Sequence, residues 1–322
     1  MFFLIAYSFI TTIFVGILIV GLYQKNSNAI CKSKRRLDGK TAIVTGGTSG
    51  MGLEIAIDFA LRGARVIVAC PFQDEGETGK ETIIKRSGNE NVIFEHLDLA
   101  SFASVRKFAE TIMKKENRLD ILVNNAGVNA ATERLTEDGF NFIYQVNYFG
   151  TVLLTLLLLP LLKRNGKPDE PSRIVNTSSI SHKLGKVDFE SWKKTNHHFK
   201  CYPNSKLCIA MFSRELAKRN EYLNVTVNVI DPGIVGTRIY RTATDAFLGP
   251  IAVFLATFCS KTPWEGAQTA IHVAVCENAR KENGKYFANC KVSPKIPLKE
   301  FYDDNLNEVL WDKTVEVIGW NK

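Results

Sequence analysis

Short apolar runs bounded by glycine, proline or asparagine recur along the chain, separated by stretches whose apolar positions follow a helical period. TAIVTG (41–46), ARVIVAC (64–70), NVIFEHLD (91–98), ILVNNAG (121–127), SRIVNTSS (172–179) and NVTVNVIDPG (224–233) are the runs, and KYFAN (285–289) closes the series. Nearly uninterrupted Val/Ile-rich strands with helices between them predict a parallel sheet covered on both faces. Its connections should be right-handed crossovers, which gives an α/β fold of the Rossmann type, doubly wound. No linker-like segment or internal repeat divides residues 37–322, so one domain is expected there.

Two other apolar segments break this rhythm. The first 23 residues, MFFLIAYSFITTIFVGILIVGLY, carry no charged side chain. About 20 apolar residues span a bilayer as a helix. A basic n-region and a small-residue cleavage site are lacking, so an uncleaved transmembrane anchor over 1–23 is expected rather than a signal peptide. The second segment, YFGTVLLTLLLLPLL (148–162), is 15 residues long and follows the polar Asn147. It reads as a core helix rather than another span.

Composition changes this picture little. With 45% hydrophobic and 23% charged residues the chain is an ordinary globular protein. The net charge of +8 invites a nucleic-acid partner. Part of that excess, however, is the run KSKRR (Lys32, Lys34, Arg35, Arg36) directly after the apolar segment, and no Arg-rich helix interleaved with aromatics follows. Residues 24–36 read as a basic juxtamembrane linker. Positive charge stays cytosolic, which places the main domain on that side and the N-terminus in the lumen. The seven cysteines are scattered, and neither they nor the five histidines show metal-ligand spacing. Reduced thiols and no metal are expected.

Candidate chemistry concentrates in two places. TGGTSGMG (45–52) sets Gly46, Gly50 and Gly52 between the first strand and the first helix. Glycines there permit positive φ and let the backbone approach a pyrophosphate at a helix N-terminus. In CYPNSKLC (201–208), Tyr202 and Lys206 are four residues apart. On a helix they share a face, with Cβ atoms roughly 5–6 Å apart. Pro203 suits the first helical position, where its missing N–H is not needed.

The glycine turn, NNAG (124–127), Asn147, Ser179, YPNSK and PGIVGT (232–237) occur in the order seen in short-chain dehydrogenases/reductases, and the chain resembles that family over 37–290. GARVIVAC, VNTSSISHKLG and KTPWEGAQTAIHVAV look like its microsomal retinol dehydrogenase group, which also carries an N-terminal anchor. The resemblance implies a catalytic tetrad of Asn147, Ser179, Tyr202 and Lys206. Tyrosine's usual pKa near 10 is too high for a base at neutral pH, and a lysine ammonium beside it favours the phenolate. Ser179 would hold the substrate oxygen, and Asn147 would support a water-linked proton path to Lys206.

For the cofactor, the resemblance implies Gly46, Thr48, Ser49, Gly50, Met51 and Gly52 in the first turn and Asp98 and Leu99 after the third strand. Asn125, Ala126 and Gly127, with Asn124 before them, follow the fourth strand. Pro232, Gly233 and Thr237 would lie at the nicotinamide end, where Tyr202 and Lys206 also touch the cofactor. Relatives usually place an arginine where Pro71 stands, at the site that meets the 2′-phosphate of NADP. Family habit therefore points to NADP, with NAD the alternative, because Cys70 and Pro71 offer no phosphate partner and Asp74 and Glu75 would repel one if they faced it.

The resemblance further implies a substrate lid at about 240–262. DAFLGPIAVFLATF (245–258) offers Phe247, Leu248, Ile251, Phe254 and Leu255 to line it. An anchor with an apolar lid favours a lipophilic alcohol or aldehyde drawn from the bilayer, retinol or retinal first, at the endoplasmic reticulum membrane. A steroid, isoprenoid or xenobiotic carbonyl, or a catalytically silent binding protein, are the other readings. The sequence leaves the oligomeric state open.

Overall fold

Adjacent residues of each strand feed opposite cores, which is why the apolar runs show no alternation. In the first strand, β1 (Thr41–Thr45), Ile43 packs into one core while Ala42 and Val44 pack into the other. The computed structural model describes residues 28–129, 134–195, 198–220, 224–236, 260–293 and 299–320, with scattered positions between 11 and 23, themselves helical. The strands that follow are β2 (Arg65–Cys70), β3 (Val92–His96), β4 (Ile121–Asn124), β5 (Ser172–Thr177), β6 (Val225–Asp231) and β7 (Tyr286–Ala288). They pair in the order β3-β2-β1-β4-β5-β6-β7, all parallel. A two-residue strand not foreseen in the sequence, β8 (Lys291–Val292), adds antiparallel to β7. Two residues carry no readable hydrophobic period.

Helices cover both faces. On one lie α1 (Gly50–Leu61) and, further along the chain, the helix Pro263–Val275, which pack on each other; α2 (Gln73–Ser87) flanks α1. The opposite face holds α3 (Phe102–Lys115), α4 (Phe142–Asn165) and α5 (His198–Arg219). Pro263–Val275 is α6, and α7 (Lys299–Tyr302) and α8 (Asp304–Val317) follow at the C-terminus. The apolar segment 148–162 lies within α4, whose most apolar stretch is 89% buried inside the protein, as a core helix requires.

Two local features differ from expectation. The first turns of α4 loosen into a π-helix over Gln145–Gly150, the segment that contains Asn147. Such bulges gather at functional sites because they re-aim side chains and free backbone groups. Helix α5 begins at His198, so Pro203 is not its first residue but lies inside it. The helix extends upstream because Cys201 is fully buried in the core it covers. Pro203 then forgoes one intrahelical hydrogen bond in the second turn.

Candidate active site

The strand order reverses between β1 and β4, and a crevice opens there at the carboxyl ends of the strands. It is a cleft of about 410 Å³. Its floor is the glycine turn. Gly46 and Gly50 adopt φ of 62° and 53°, the left-handed region that favours glycine. A Cβ on Gly52 would stand 2.1 Å from the Gly46 carbonyl oxygen, so this residue admits no side chain. Ser49 caps α1 without a side-chain hydrogen bond. The N–H groups of the first turn, Gly50 to Gly52, are thus left to a ligand, with the positive end of the helix dipole behind them. This backbone cradle fits the pyrophosphate of a dinucleotide.

The β4 turn is tied to the same floor. Thr45 Oγ1 accepts from the N–H groups of Asn125 and Ala126, both at 3.1 Å, and Asn125 Nδ2 donates to the carbonyls of Thr45 at 3.0 Å and Gly46 at 3.3 Å. The Asn125 side chain therefore braces the glycine turn. Asn124 points elsewhere. It is buried and donates to Thr155 Oγ1 and Asn176 Oδ1 beneath the sheet, away from the cleft.

Thr48, Met51, Asp98, Leu99, Ala126, Gly127, Pro232 and Gly233 all line the cleft. Thr237 and the expected lid side chains Phe247, Leu248, Ile251, Phe254 and Leu255 lie outside the described residues. At the end of β2, Cys70, Pro71, Phe72 and Glu75 form the wall. Glu75 Oε1 accepts from Thr48 Oγ1 at 3.2 Å, so this carboxylate faces the cleft while Asp74 does not line it. Among the described lining residues, Lys206 is the sole cation.

Tyr202 and Lys206 lie at the opposite end, on one face of α5, with Lys206 Nζ 5.7 Å from the centre of the Tyr202 ring. Lys206 is 3% exposed, and its ammonium donates to the Thr177 carbonyl at 3.0 Å. Burial pulls its pKa from 10.5 down to about 8. Ser179 follows β5 into the cleft, where its Oγ accepts the Ser181 N–H at 3.2 Å. Asn147 stands behind Gly127. Its Oδ1 accepts the Val128 N–H at 2.8 Å, and its Nδ2 donates to the Val128 carbonyl at 2.9 Å and to Ser205 Oγ at 3.2 Å. A Cβ on Gly127 would sit 3.1 Å from Lys206 Nζ and 3.4 Å from Asn147 Oδ1, so the missing side chain leaves a gap between the two.

The structure also brings in groups not singled out in the sequence: the Thr177 carbonyl under Lys206, Ser205 under Asn147, and His182 under Ser179. His182 is buried and presents Nδ1 to the Ser179 carbonyl oxygen at 2.5 Å. Tyr286 OH lies 3.1 Å from the same nitrogen. Burial lowers the His182 pKa and keeps the ring neutral. His182 was within reach of a sequence reading, since it sits three residues beyond Ser179 on a short turn. Tyr286 is more than a hundred residues away, and nothing local marks it.

Residues 40–246 match the family described as short chain dehydrogenase. Human retinol dehydrogenase 13 is 38% identical over 299 residues, covering 90% of this chain and 87% of that protein. Bovine retinol dehydrogenase 12 is likewise 38% identical over 299 residues, covering 91% and 90%. Among solved structures, the Pseudomonas aeruginosa RhlG/NADP active-site complex superimposes with a TM-score of 0.62 at 27% identity, over 79% of this chain and 95% of that one. A crevice at the sheet's switch point, a glycine cradle that excludes side chains, and this likeness over nine-tenths of the chain agree. The chain belongs to the short chain dehydrogenase family and is a nicotinamide-dinucleotide-dependent oxidoreductase.

Proposed function

We propose that the protein is a membrane-anchored oxidoreductase that interconverts a lipophilic alcohol and its carbonyl, of the retinol/retinal type. Its catalytic domain would face the cytosol from the endoplasmic reticulum membrane. The observation that carries this reading is the convergence of Tyr202, Lys206 and Ser179 on the end of the cleft away from Glu75, in a chain similar to retinol dehydrogenases over about 90% of its length. The 23 uncharged residues at the N-terminus support the anchor.

The residues that line the cleft would hold the dinucleotide: the N–H groups of Gly50 to Gly52 its pyrophosphate, Asp98, Leu99 and Glu75 its adenosine end, and Pro232 and Gly233 its nicotinamide end. When bound it supplies or accepts the hydride at the carbinol carbon. The chain's own residues manage the proton. Tyr202 exchanges it with the substrate oxygen, as acid in reduction and base in oxidation. Ser179 Oγ holds that oxygen in line. Lys206, fixed by the Thr177 carbonyl, presents its ammonium beside Tyr202 and favours the phenolate. Asn147, clamped to the Val128 backbone, borders the gap that Gly127 leaves beside Lys206. That gap is the path by which a water would relay the proton outward. NADP is the family's usual partner, with NAD the alternative.

A panel of lipophilic alcohols and aldehydes, run against the purified full-length protein with both cofactors, tests the proposal. Turnover of retinal or retinol ahead of steroid, isoprenoid and xenobiotic carbonyls is expected. Preference for one of the latter would move the substrate assignment, and no turnover of any would overturn the reading.

A further inference from the structure

The segment that precedes β1 is held against the domain. Residues 28–36 form no regular secondary structure and are tied down by hydrogen bonds to α6 and neighbouring segments. The Ala29 N–H donates to Asn289 Oδ1 at 3.0 Å and the Cys31 N–H to Gln268 Oε1 at 3.1 Å. Ser33 Oγ donates to Glu277 at 3.0 Å, and Arg62 donates to the carbonyls of Ser33 and Arg35, both at 2.9 Å. Arg35 pairs with Glu170 and Arg36 with Asp38. Two of the four basic residues are thus engaged by the domain, while Lys32 and Lys34 stay exposed.

This strap starts on the side where the cleft opens. Asn289 Oδ1, which receives Ala29, also accepts from Lys261 Nζ at 3.2 Å. The Lys261 N–H donates to the Ile234 carbonyl at 2.8 Å, and the Lys261 side chain packs at Gly233 on the rim of the cleft. The chain therefore enters the domain within two hydrogen bonds of the cleft wall. Around that point, large apolar side chains stand in solvent: Ile30 at 48% exposure, Ile234 at 43%, Trp264 at 46% and Val292 at 38%, with the exposed Lys291 beside them.

We infer that the face bearing Ile30, Ile234, Trp264 and Val292 rests on the lipid bilayer, so that the cleft mouth opens toward the membrane surface. This rests on the anchoring reading. Covalent geometry then forces proximity, because only residues 24–27 separate the apolar run from Asn28, and the Cα–Cα steps from Tyr23 to Asn28 reach at most about 18 Å. A surface held that near to lipid and dressed with isolated large apolar side chains, one of them tryptophan, has the character of a membrane-interface contact. Lys32, Lys34 and Lys291 add attraction to anionic headgroups. A lipophilic substrate would pass between bilayer and cleft without crossing bulk water.

The test uses the full-length protein with vesicles of phosphatidylcholine and phosphatidylserine, in which part of the phosphatidylcholine carries brominated chains that quench tryptophan. Of the four tryptophans, Trp192 and Trp311 are buried and Trp320 is partly buried against the core, so an interfacial Trp264 should dominate the quenching. Trp264→Phe is expected to remove at least half of it while the protein still sediments with the vesicles. Sedimentation with quenching unchanged in the variant would overturn the assignment of this face and leave the anchor standing. Failure to sediment at all would overturn the anchor, and this inference with it.

Discussion

His182 Nδ1 lies 2.5 Å from the main-chain oxygen of Ser179, the residue assigned to hold the substrate oxygen. The ring is buried, its pKa is lowered by desolvation, and its Nε2 has no hydrogen-bond partner among the described residues. A neutral ring with its proton on Nδ1 satisfies the Ser179 carbonyl and fixes the turn that aims Ser179 Oγ. Truncation to alanine should loosen that turn without touching the dinucleotide cradle. We expect His182→Ala to lower kcat about 10-fold, as misplacement of a positioned group does. The dissociation constant for the cofactor should change less than twofold. Steady-state kinetics beside a fluorescence titration of the cofactor checks both. A loss of cofactor affinity matching the loss of rate would mean general unfolding instead.

Lys206 is a buried cation held by one carbonyl, which makes it a stability cost kept for chemistry. Its folded pKa, about 8, lies below the 10.5 of an exposed lysine. Between those values the unfolded chain binds the extra proton, so stability rises with pH across this window and the full penalty applies below it. The difference between the two values corresponds to roughly 3 kcal/mol. Loss of the bond to the Thr177 carbonyl offsets part of this. Lys206→Met should therefore abolish turnover yet raise stability at pH 7 by about 1–2 kcal/mol, with the gain shrinking as pH approaches 10. Denaturant unfolding of both proteins at pH 7 and pH 9.5 measures it.

The sequence carried the fold wherever burial on both sides imposes a composition. All seven parallel strands were legible because positions between two helical layers are mostly apolar, the buried Arg173, Asn176 and Asn228 being exceptions satisfied by hydrogen bonds. The long core helix was legible over 148–162 by its length, although it starts upstream at Phe142 and carries Asn147 within its π-helical segment. What could not be read is what tertiary contact decides. The strand of Lys291–Val292 is too short for a period. The extension of α5 ahead of Pro203 depends on a buried Cys201, which a local rule for proline does not weigh. In the site, Tyr202, Lys206 and the glycines stood out in the sequence because their chemistry has few equivalents, and all of them line the cleft. Groups that act through their backbone, such as the Thr177 carbonyl, leave no mark in the sequence.

Tyr202 carries the hydroxyl assigned to proton exchange, and its side chain is only partly buried at the cleft. Phenylalanine keeps the ring, its packing and the neighbouring Lys206. If the hydroxyl does the chemistry, Tyr202→Phe should lower kcat by at least about 10²–10⁴-fold, the range of general acid–base catalysis. Cofactor affinity and melting temperature should stay near those of the parent protein. Ser179→Ala should be milder, because it removes one hydrogen bond to the substrate oxygen and no proton carrier. Comparing the two at saturating cofactor separates the roles, and turnover persisting in Tyr202→Phe would refute the assignment.

Glu75 places a carboxylate on the cleft wall at the end of β2, the end assigned to the adenosine ribose, and Pro71 beside it supplies no cation. Two negative groups within a few ångströms in a partly enclosed cleft repel each other, whereas a ribose diol donates hydrogen bonds to a carboxylate. The charge of Glu75 should therefore set the cofactor ratio. Glu75→Gln keeps the shape and the contact with Thr48 but removes the charge. We expect it to raise kcat/KM with NADP(H) relative to NAD(H) by about 10-fold, equivalent to about 1.4 kcal/mol. Pro71→Arg in the same background should raise it further, since a guanidinium binds phosphate directly. Rising salt should narrow the difference between parent and variants only modestly, because charges a few ångströms apart lie well inside the roughly 10 Å Debye length at 0.1 M. Parallel kinetics with both cofactors at two ionic strengths measures all three effects, and a ratio indifferent to Glu75→Gln would show that this carboxylate does not read the ribose.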